Sequence, residues 1–188
     1  STFAGKSSAR TMAKSGWTKL TKKARAFAFP SRARCKAGMA SASGGTAFRV
    51  ILLHETKSTN DDCLRMADER APDGTVVRAL HQTAGRGRGG RTWHSQADAS
   101  LTFSVLLRPT AREFAFLPRF PLLGCLALAR TLEGNFKVQS SIKWPNDLLI
   151  AGKKVCGVLT ETLWQNQIPN AVVIGMGVNL TQDALPPE

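Results

Sequence analysis

Gly85-Arg86-Gly87-Arg88-Gly89-Gly90-Arg91-Thr92-Trp93 is the stretch on which the reading of this chain turns. Four glycines interleave with three arginines, and a tryptophan closes the run. Glycine lets a backbone turn through positive φ and come close to a ligand. Arginine brings a permanent charge and five donors in a fixed fork. Neither residue buries an apolar face, so the segment is a loop. On either side lie apolar runs of strand length, Thr75–Leu80 and Leu101–Leu107, so a sheet presents the loop. A flexible cationic loop of this kind suits an anionic ligand, whose charge then orders it. A solvated linker or an RNA-binding Arg/Gly tract has similar composition. Such tracts are long, repeated and outside domains, whereas this one is short, single and set between strands. It is not a Walker loop, because Arg91-Thr92 follows Gly90 where that pattern needs Lys and then Ser or Thr.

Working outward, Phe48–His54 is an apolar run of strand length. Lys57-Ser58-Thr59-Asn60 precedes a helical pattern through Cys63, Leu64, Met66 and Ala67. Ser, Thr and Asn in that place are ordinary helix caps, with Asp61 and Asp62 suited to the first turn. The same hydroxyls and amides can also hold a ligand at a helix start. Pro72-Asp73-Gly74 predicts a turn. Pro121–Leu132 predicts the central helix, ended by Gly134-Asn135. Asp147–Ile150 and Lys153–Leu159 predict a hairpin turning at Ala151-Gly152. Ala171–Ile174 is a strand running into Gly175-Met176-Gly177-Val178-Asn179. These pieces predict an α+β fold, a mixed β-sheet covered by helices.

The chain has 188 residues, enough for one domain with a sizeable core. Its charge is uneven. Of 26 Lys/Arg, 11 lie in residues 1–54, which hold no Asp or Glu; residues 55–188 carry 15 basic against 13 acidic groups. The globular part is therefore close to neutral and needs no nucleic acid to balance it. Residues 1–45 have the Ser/Ala/Lys/Arg composition of a plastid or mitochondrial transit peptide, or of a disordered basic arm. Translation from Met39 would leave a cytosolic form. No apolar run approaches the ~20 residues of a membrane helix. Cys35, Cys63, Cys125 and Cys156 form no C-x-x-C pair, which argues for reduced thiols rather than zinc or disulfides. Cys125 and Cys156 lie in apolar runs and read as packing residues.

The chemistry is expected where Arg86, Arg88, Lys143 and Lys154 converge with one carboxylate, Asp147. That set suits phosphate plus a carboxylate, with Asp147 a candidate Mg²⁺ contact. No Ser-His-Asp or Cys-His arrangement stands out, and the flanking His81 and His94 read as structural.

Five motifs in order resemble the biotin–protein ligases. They are Lys57-Ser58-Thr59-Asn60, the run Gln82 to Trp93, Lys143-Trp144-Pro145-Asn146-Asp147, Lys153 to Leu159, and Gly175 to Asn179. They cover roughly residues 50–180, and their joint presence in order is specific. The resemblance implies a catalytic domain like that of class II aminoacyl-tRNA synthetases. It implies an enzyme that makes biotinyl-5'-adenylate from biotin and ATP with Mg²⁺. The biotin would then pass to a lysine of a biotin carboxyl carrier domain, in acetyl-CoA carboxylase or another biotin-dependent carboxylase. A lipoate or octanoate ligase or transferase of the same fold is the alternative.

By that resemblance Ser58, Thr59, Asn60 and Gln82 hold the ureido head, and Arg86 and Gly87 line the loop side. Gly85, Trp93 and Gly157 join the ligand-contacting set. Lys154 reaches the carboxylate end and Arg88 secures the adenylate, the two catalytic assignments. Lys143, Asp147 and Asn179 form the nucleotide and metal side. Ser95–Ser100 lacks the Pro and Gly that commonly follow the tryptophan in this family. The expected organisation is a transit peptide or basic arm over 1–45 and a catalytic domain over 46–188. The family's small C-terminal β-domain has no counterpart in this expectation.

Overall fold

Ser100–Leu107 alternates buried and half-buried positions along its whole length, as a strand between two unequal faces must. The computed structural model describes residues 38–41, 47–95 and 99–181 and builds its sheet around strands of this kind. The strands are β1 (Gly38–Ser41), β2 (Ala47–Thr56), β3 (Thr75–Gln82), β4 (Ser100–Leu107), β5 (Ser141–Lys143), β6 (Asp147–Ile150), β7 (Lys153–Gln165) and β8 (Ile168–Asn179). They form one sheet in the order β1-β2-β3-β4-β8-β7-β6-β5. Only β2 and β3 run parallel, joined by helix α1 (Thr59–Asp68); every other pairing is antiparallel. This is the mixed α+β sheet expected from the sequence.

Successive residues of a strand face opposite sides, and β8 shows both sides filled. Ala171 and Val173 join Val77, Leu106, Cys63 and Ala67 in the core beneath α1. Val172, Ile174, Met176 and Val178 join Cys125, Leu148, Cys156 and Val158 beneath helix α2 (Phe120–Thr131). The buried thiols behave as packing groups. Burial pushes Cys63 up to about 12 and Cys125 up to about 11, so neither is a thiolate at neutral pH. Cys35 lies outside the described residues.

Three expectations are corrected. The glycine-rich Gly175–Asn179 does not follow a strand; it is the second half of β8. Residues 38–41, expected in an arm or linker, pair with β2 as β1 and cover part of its edge. The helical segment is longer than the apolar run suggests. Turns at Ala111–Arg119, α2 and a π turn at Leu132–Phe136 follow one another without a break. Ala111–Phe136 is long and apolar enough, by length and composition, to cross a membrane. Pro118 and Arg119 interrupt the apolar pattern but not the helix, and Gly124 of α2 rests on Val158 and Ile174 of the sheet.

Candidate active site

A cleft of about 500 Å³ opens on the α1 side of the sheet, over its middle strands. Its floor follows from pairing register. Thr102 of β4, Gly177 of β8, Gly157 of β7 and Asp147 of β6 stand opposite one another in a single rung. Strands lie about 4.8 Å apart, so the rung spans roughly 14 Å. Two glycines leave its centre without side chains. The adjoining rung carries Ser104, Gly175 and Leu159.

The glycines of β8 are there for their neighbours. A β-carbon on Gly175 would overlap the Asn60 side chain, and one on Gly177 would overlap the Trp93 indole. Asn60 of α1 and Trp93 of the loop, which both line the cleft, therefore lie directly on the backbone of β8.

One end of the floor is neutral and hydrogen-bonded. Thr59 donates its backbone N–H to Gln82 Oε1 at 2.7 Å, and its hydroxyl lies 3.0 Å from the same oxygen and 2.7 Å from Ser104 Oγ. Ser104 donates to Asn60 Oδ1 at 2.6 Å, and Asn60 Nδ2 donates to Glu161 at 2.6 Å. Ser58 occupies the N-cap position of α1 but makes no capping hydrogen bond. Its side chain is buried and lines the cleft instead. The simple capping role is therefore not the one observed.

Loop and rim are cationic. Arg86 makes a two-pronged contact to Asp61 at 2.7 and 2.6 Å and also donates to Glu161 at 3.1 and 3.2 Å. The hydrogen bond from Arg86 holds the Asp61 carboxyl below its usual range, and Asp61 raises the guanidinium in turn. Arg88 makes no ion pair among the described residues and lines the cleft with Arg91 and Lys143. It opens a single turn, Arg88–Gly90, in which Gly89 takes φ 67° and Gly90 φ 76°. Lys154 Nζ lies 2.8 Å from Asp147 Oδ1, a charge contact that is not aligned as a hydrogen bond. Asn146 fixes this end by donating to Val158 O at 3.0 Å and accepting from Val158 N at 2.9 Å.

Of the expected residues, Ser58, Thr59, Asn60, Gln82, Arg86, Gly87, Arg88, Trp93, Lys143, Asp147, Lys154 and Gly157 all line this cleft. Gly85 does not; it is buried where Trp93 N–H donates to its carbonyl at 2.9 Å, at the neck of the loop. Asn179 does not either; it is buried at the end of β8, with no hydrogen-bond partner for its Oδ1. The expectation of one carboxylate is corrected, since Asp61 and Glu161 stand beside Arg86. Sequence reasoning passed over Glu161, Ser104 and Thr102. The available signal was period two: Gly157, Leu159 and Glu161 share one face of β7, and Thr102 and Ser104 share one face of β4. Thr102 is buried in the cleft floor with an unpaired hydroxyl, and Trp93 Nε1 is unpaired as well.

Among the described residues no group of three His, Cys, Asp or Glu could hold a metal ion by itself. Magnesium is usually held by one or two carboxylates together with substrate phosphates. Asp147, beside a cationic rim, fits the role of a single protein ligand.

Residues 52–179 match the family model described as the biotin/lipoate A/B protein ligase family. The bifunctional ligase/repressor BirA of Bacillus spizizenii is 41% identical over 127 residues, 68% of this chain and 39% of that protein. The biotin–[acetyl-CoA-carboxylase] ligase of Mycobacterium tuberculosis is 36% identical over 143 residues, 73% of this chain and 52% of that protein. The biotin protein ligase from Aquifex aeolicus, solved in complex with biotin and ATP, superposes with a TM-score of 0.61 at 39% identity, over 73% of this chain and 54% of that one. The chain thus spans about half or less of the length of these relatives. With a family model that runs from the middle of β2 through β8 and takes in the whole cleft, this chain belongs to the biotin/lipoate A/B protein ligase family.

Proposed function

We propose that this chain activates biotin with ATP as biotinyl-5'-adenylate and transfers it to a carrier lysine. The carrier is a biotin carboxyl carrier domain of acetyl-CoA carboxylase or another biotin-dependent carboxylase. The observation that carries the reading is the polarity of the cleft. A neutral hydrogen-bonding end at Thr59, Gln82 and Asn60 faces a cationic end at Arg88, Lys143 and Lys154 across a floor whose Gly177 carries the Trp93 indole. An elongated molecule with a neutral polar head and a carboxylate tail fits that arrangement.

In the first step a biotin carboxylate oxygen attacks the α-phosphorus of ATP and pyrophosphate leaves. In the second a carrier amine attacks the acyl carbon and AMP leaves. Two anions meet in the first step, and the cations of the rim offset their repulsion. Lys154 positions the carboxylate, Arg88 closes on the adenylate, and Lys143 faces the phosphates. Asp147 would hold Mg²⁺ together with the phosphates, and the ion would supply charge neutralisation on the leaving group. Trp93, seated on Gly177, shields the mixed anhydride from water.

Incubation with ATP, Mg²⁺, an apo-carrier domain and either biotin or lipoate tests the reading. Biotin should be transferred and lipoate refused, because a dithiolane has no N–H groups for the neutral end. Transfer of lipoate alone would overturn it.

Lys154→Ala should weaken biotin binding about 10- to 100-fold, the loss expected for a charged hydrogen bond, and change ATP binding less. Calorimetric titration decides. An unchanged biotin Kd would make Lys154 a surface charge held only by Asp147.

Residues 1–45, whose basic composition carries no acid, are proposed to direct import into a plastid or mitochondrion. A reporter fused to residues 1–45 should enter an organelle, and one beginning at Met39 should stay in the cytosol. A cytosolic 1–45 fusion would refute this.

A further inference from the structure

Glu161 lies outside the motifs that mark the family resemblance, yet it ends a hydrogen-bond chain whose direction can be deduced. A carboxylate only accepts. The Asn60 amide 2.6 Å from it must therefore present Nδ2 to Glu161 and turn Oδ1 the other way. Oδ1 needs a donor, and Ser104 supplies its single hydroxyl proton at 2.6 Å. Ser104 Oγ has no proton left for Thr59, 2.7 Å away, so at that contact Thr59 donates and Ser104 accepts. Gln82 Oε1, which accepts the Thr59 backbone N–H at 2.7 Å, lies 3.0 Å from the same hydroxyl and could accept it too, but the shorter 2.7 Å contact between two hydroxyl oxygens needs a proton between them, and only Thr59 has one to give. Every link thus points the same way, from Thr59 through Ser104 and Asn60 to Glu161. Arg86 secures the end by donating to both Glu161 oxygens.

Resting on the biotin reading above, we propose that Glu161 and Ser104 are positioning residues that set the polarity of the cleft floor. The Thr59 proton is committed inward, so Thr59 offers the ligand lone pairs only. The group seated against it must be an N–H donor. The chain thereby selects a ureido nitrogen over an oxygen of the same size. Glu161 also holds Arg86, so the same carboxylate ties loop position to floor polarity.

Isosteric biotin analogues, in which one or the other ureido N–H is replaced by a ring oxygen, test this by calorimetric titration. The wild type should bind one of the two about 100-fold more weakly than biotin, since a donor is lost and two lone pairs are opposed. Glu161→Ala and Ser104→Ala should each cut that ratio to about tenfold or less, because Thr59 is then free to turn its proton to the analogue. The double variant should do no more than the stronger single one, as members of one chain are not additive. Glu161→Gln, which can still accept from Asn60 through its Oε1, should keep most of the discrimination; this partly exposed position also guards against a folding artefact.

An unchanged ratio in both alanine variants, or additive losses, would overturn the proposal. So would equal loss in Glu161→Gln and Glu161→Ala. A second readout needs no ligand. The Asn60 side-chain amide protons, assigned by NMR, should lose exchange protection in Glu161→Ala and in Ser104→Ala; retained protection overturns the chain. Failure of the wild type to bind biotin at all would instead sink the biotin reading, leaving the amide signal to judge the chain separately.

Discussion

Gly175→Ala should bind biotin at least about 100-fold more weakly than the wild type and should unfold at a lower temperature. The added β-carbon has nowhere to go, because the Asn60 side chain already occupies that space. Asn60 cannot step aside cheaply, being bonded to Ser104, Glu161 and the Leu159 carbonyl. Overpacking of this kind costs about 1–3 kcal/mol, which lowers Tm by roughly 2–4 °C per kcal/mol in a chain of this size. The larger effect falls on the ligand, since moving Asn60 undoes the hydrogen bonds of the neutral end, each worth on the order of 1 kcal/mol or more. Gly134→Ala is the matched control, because nothing lies near its would-be β-carbon. Calorimetry and thermal unfolding of both variants make the comparison. Wild-type affinity in Gly175→Ala would show that Asn60 does not hold the ligand.

Arg88→Ala should leave biotin binding largely in place but release biotinyl-adenylate about 100-fold faster. Unlike Arg86, Arg88 has no carboxylate among the described residues, so its charge remains available for an anion formed in the cleft. Removing one donor to a developing anion commonly costs 10²–10³ in rate. Arg88→Lys should restore only part, because an ammonium cannot reproduce the planar fork. Counting free adenylate after mixing with labelled biotin and ATP distinguishes the outcomes. Retention equal to wild type would place the closing cation elsewhere, with Arg91 or Lys143 next to be tested.

The contrast between the two arginines shows where sequence reading reached and where it stopped. Both stand in one Gly/Arg run and carry the same charge, so composition treats them alike. Only the fold shows that α1 and β7 bring Asp61 and Glu161 to Arg86 and leave Arg88 open. Strands such as β4 were legible because an apolar run of strand length stands out in the residues themselves. The second half of β8 was not. Its glycines did not mark a strand, because their role is defined by Asn60 and Trp93, more than 80 residues earlier in the chain. Glu161 was hidden for a related reason: a single acid on a long hairpin strand looks solvated until a helix is laid beside it.

The position of β8 bears on how the protein comes to exist during synthesis. The sheet order places β8 between β4 and β7, although it is the last of these eight strands in sequence. Until it emerges from the ribosome, β1–β4 and β5–β7 are two half-sheets with no shared partner, each presenting an open strand edge. The cleft floor, with Thr102 on one half and Gly157 on the other, then has no continuity. Long-range pairings of this kind form slowly, and open edges invite contact with other chains. The nascent protein therefore passes through an interval in which its own strands leave those edges uncovered. Competence to bind ligand should arrive in one step, when residues 168–179 close the sheet.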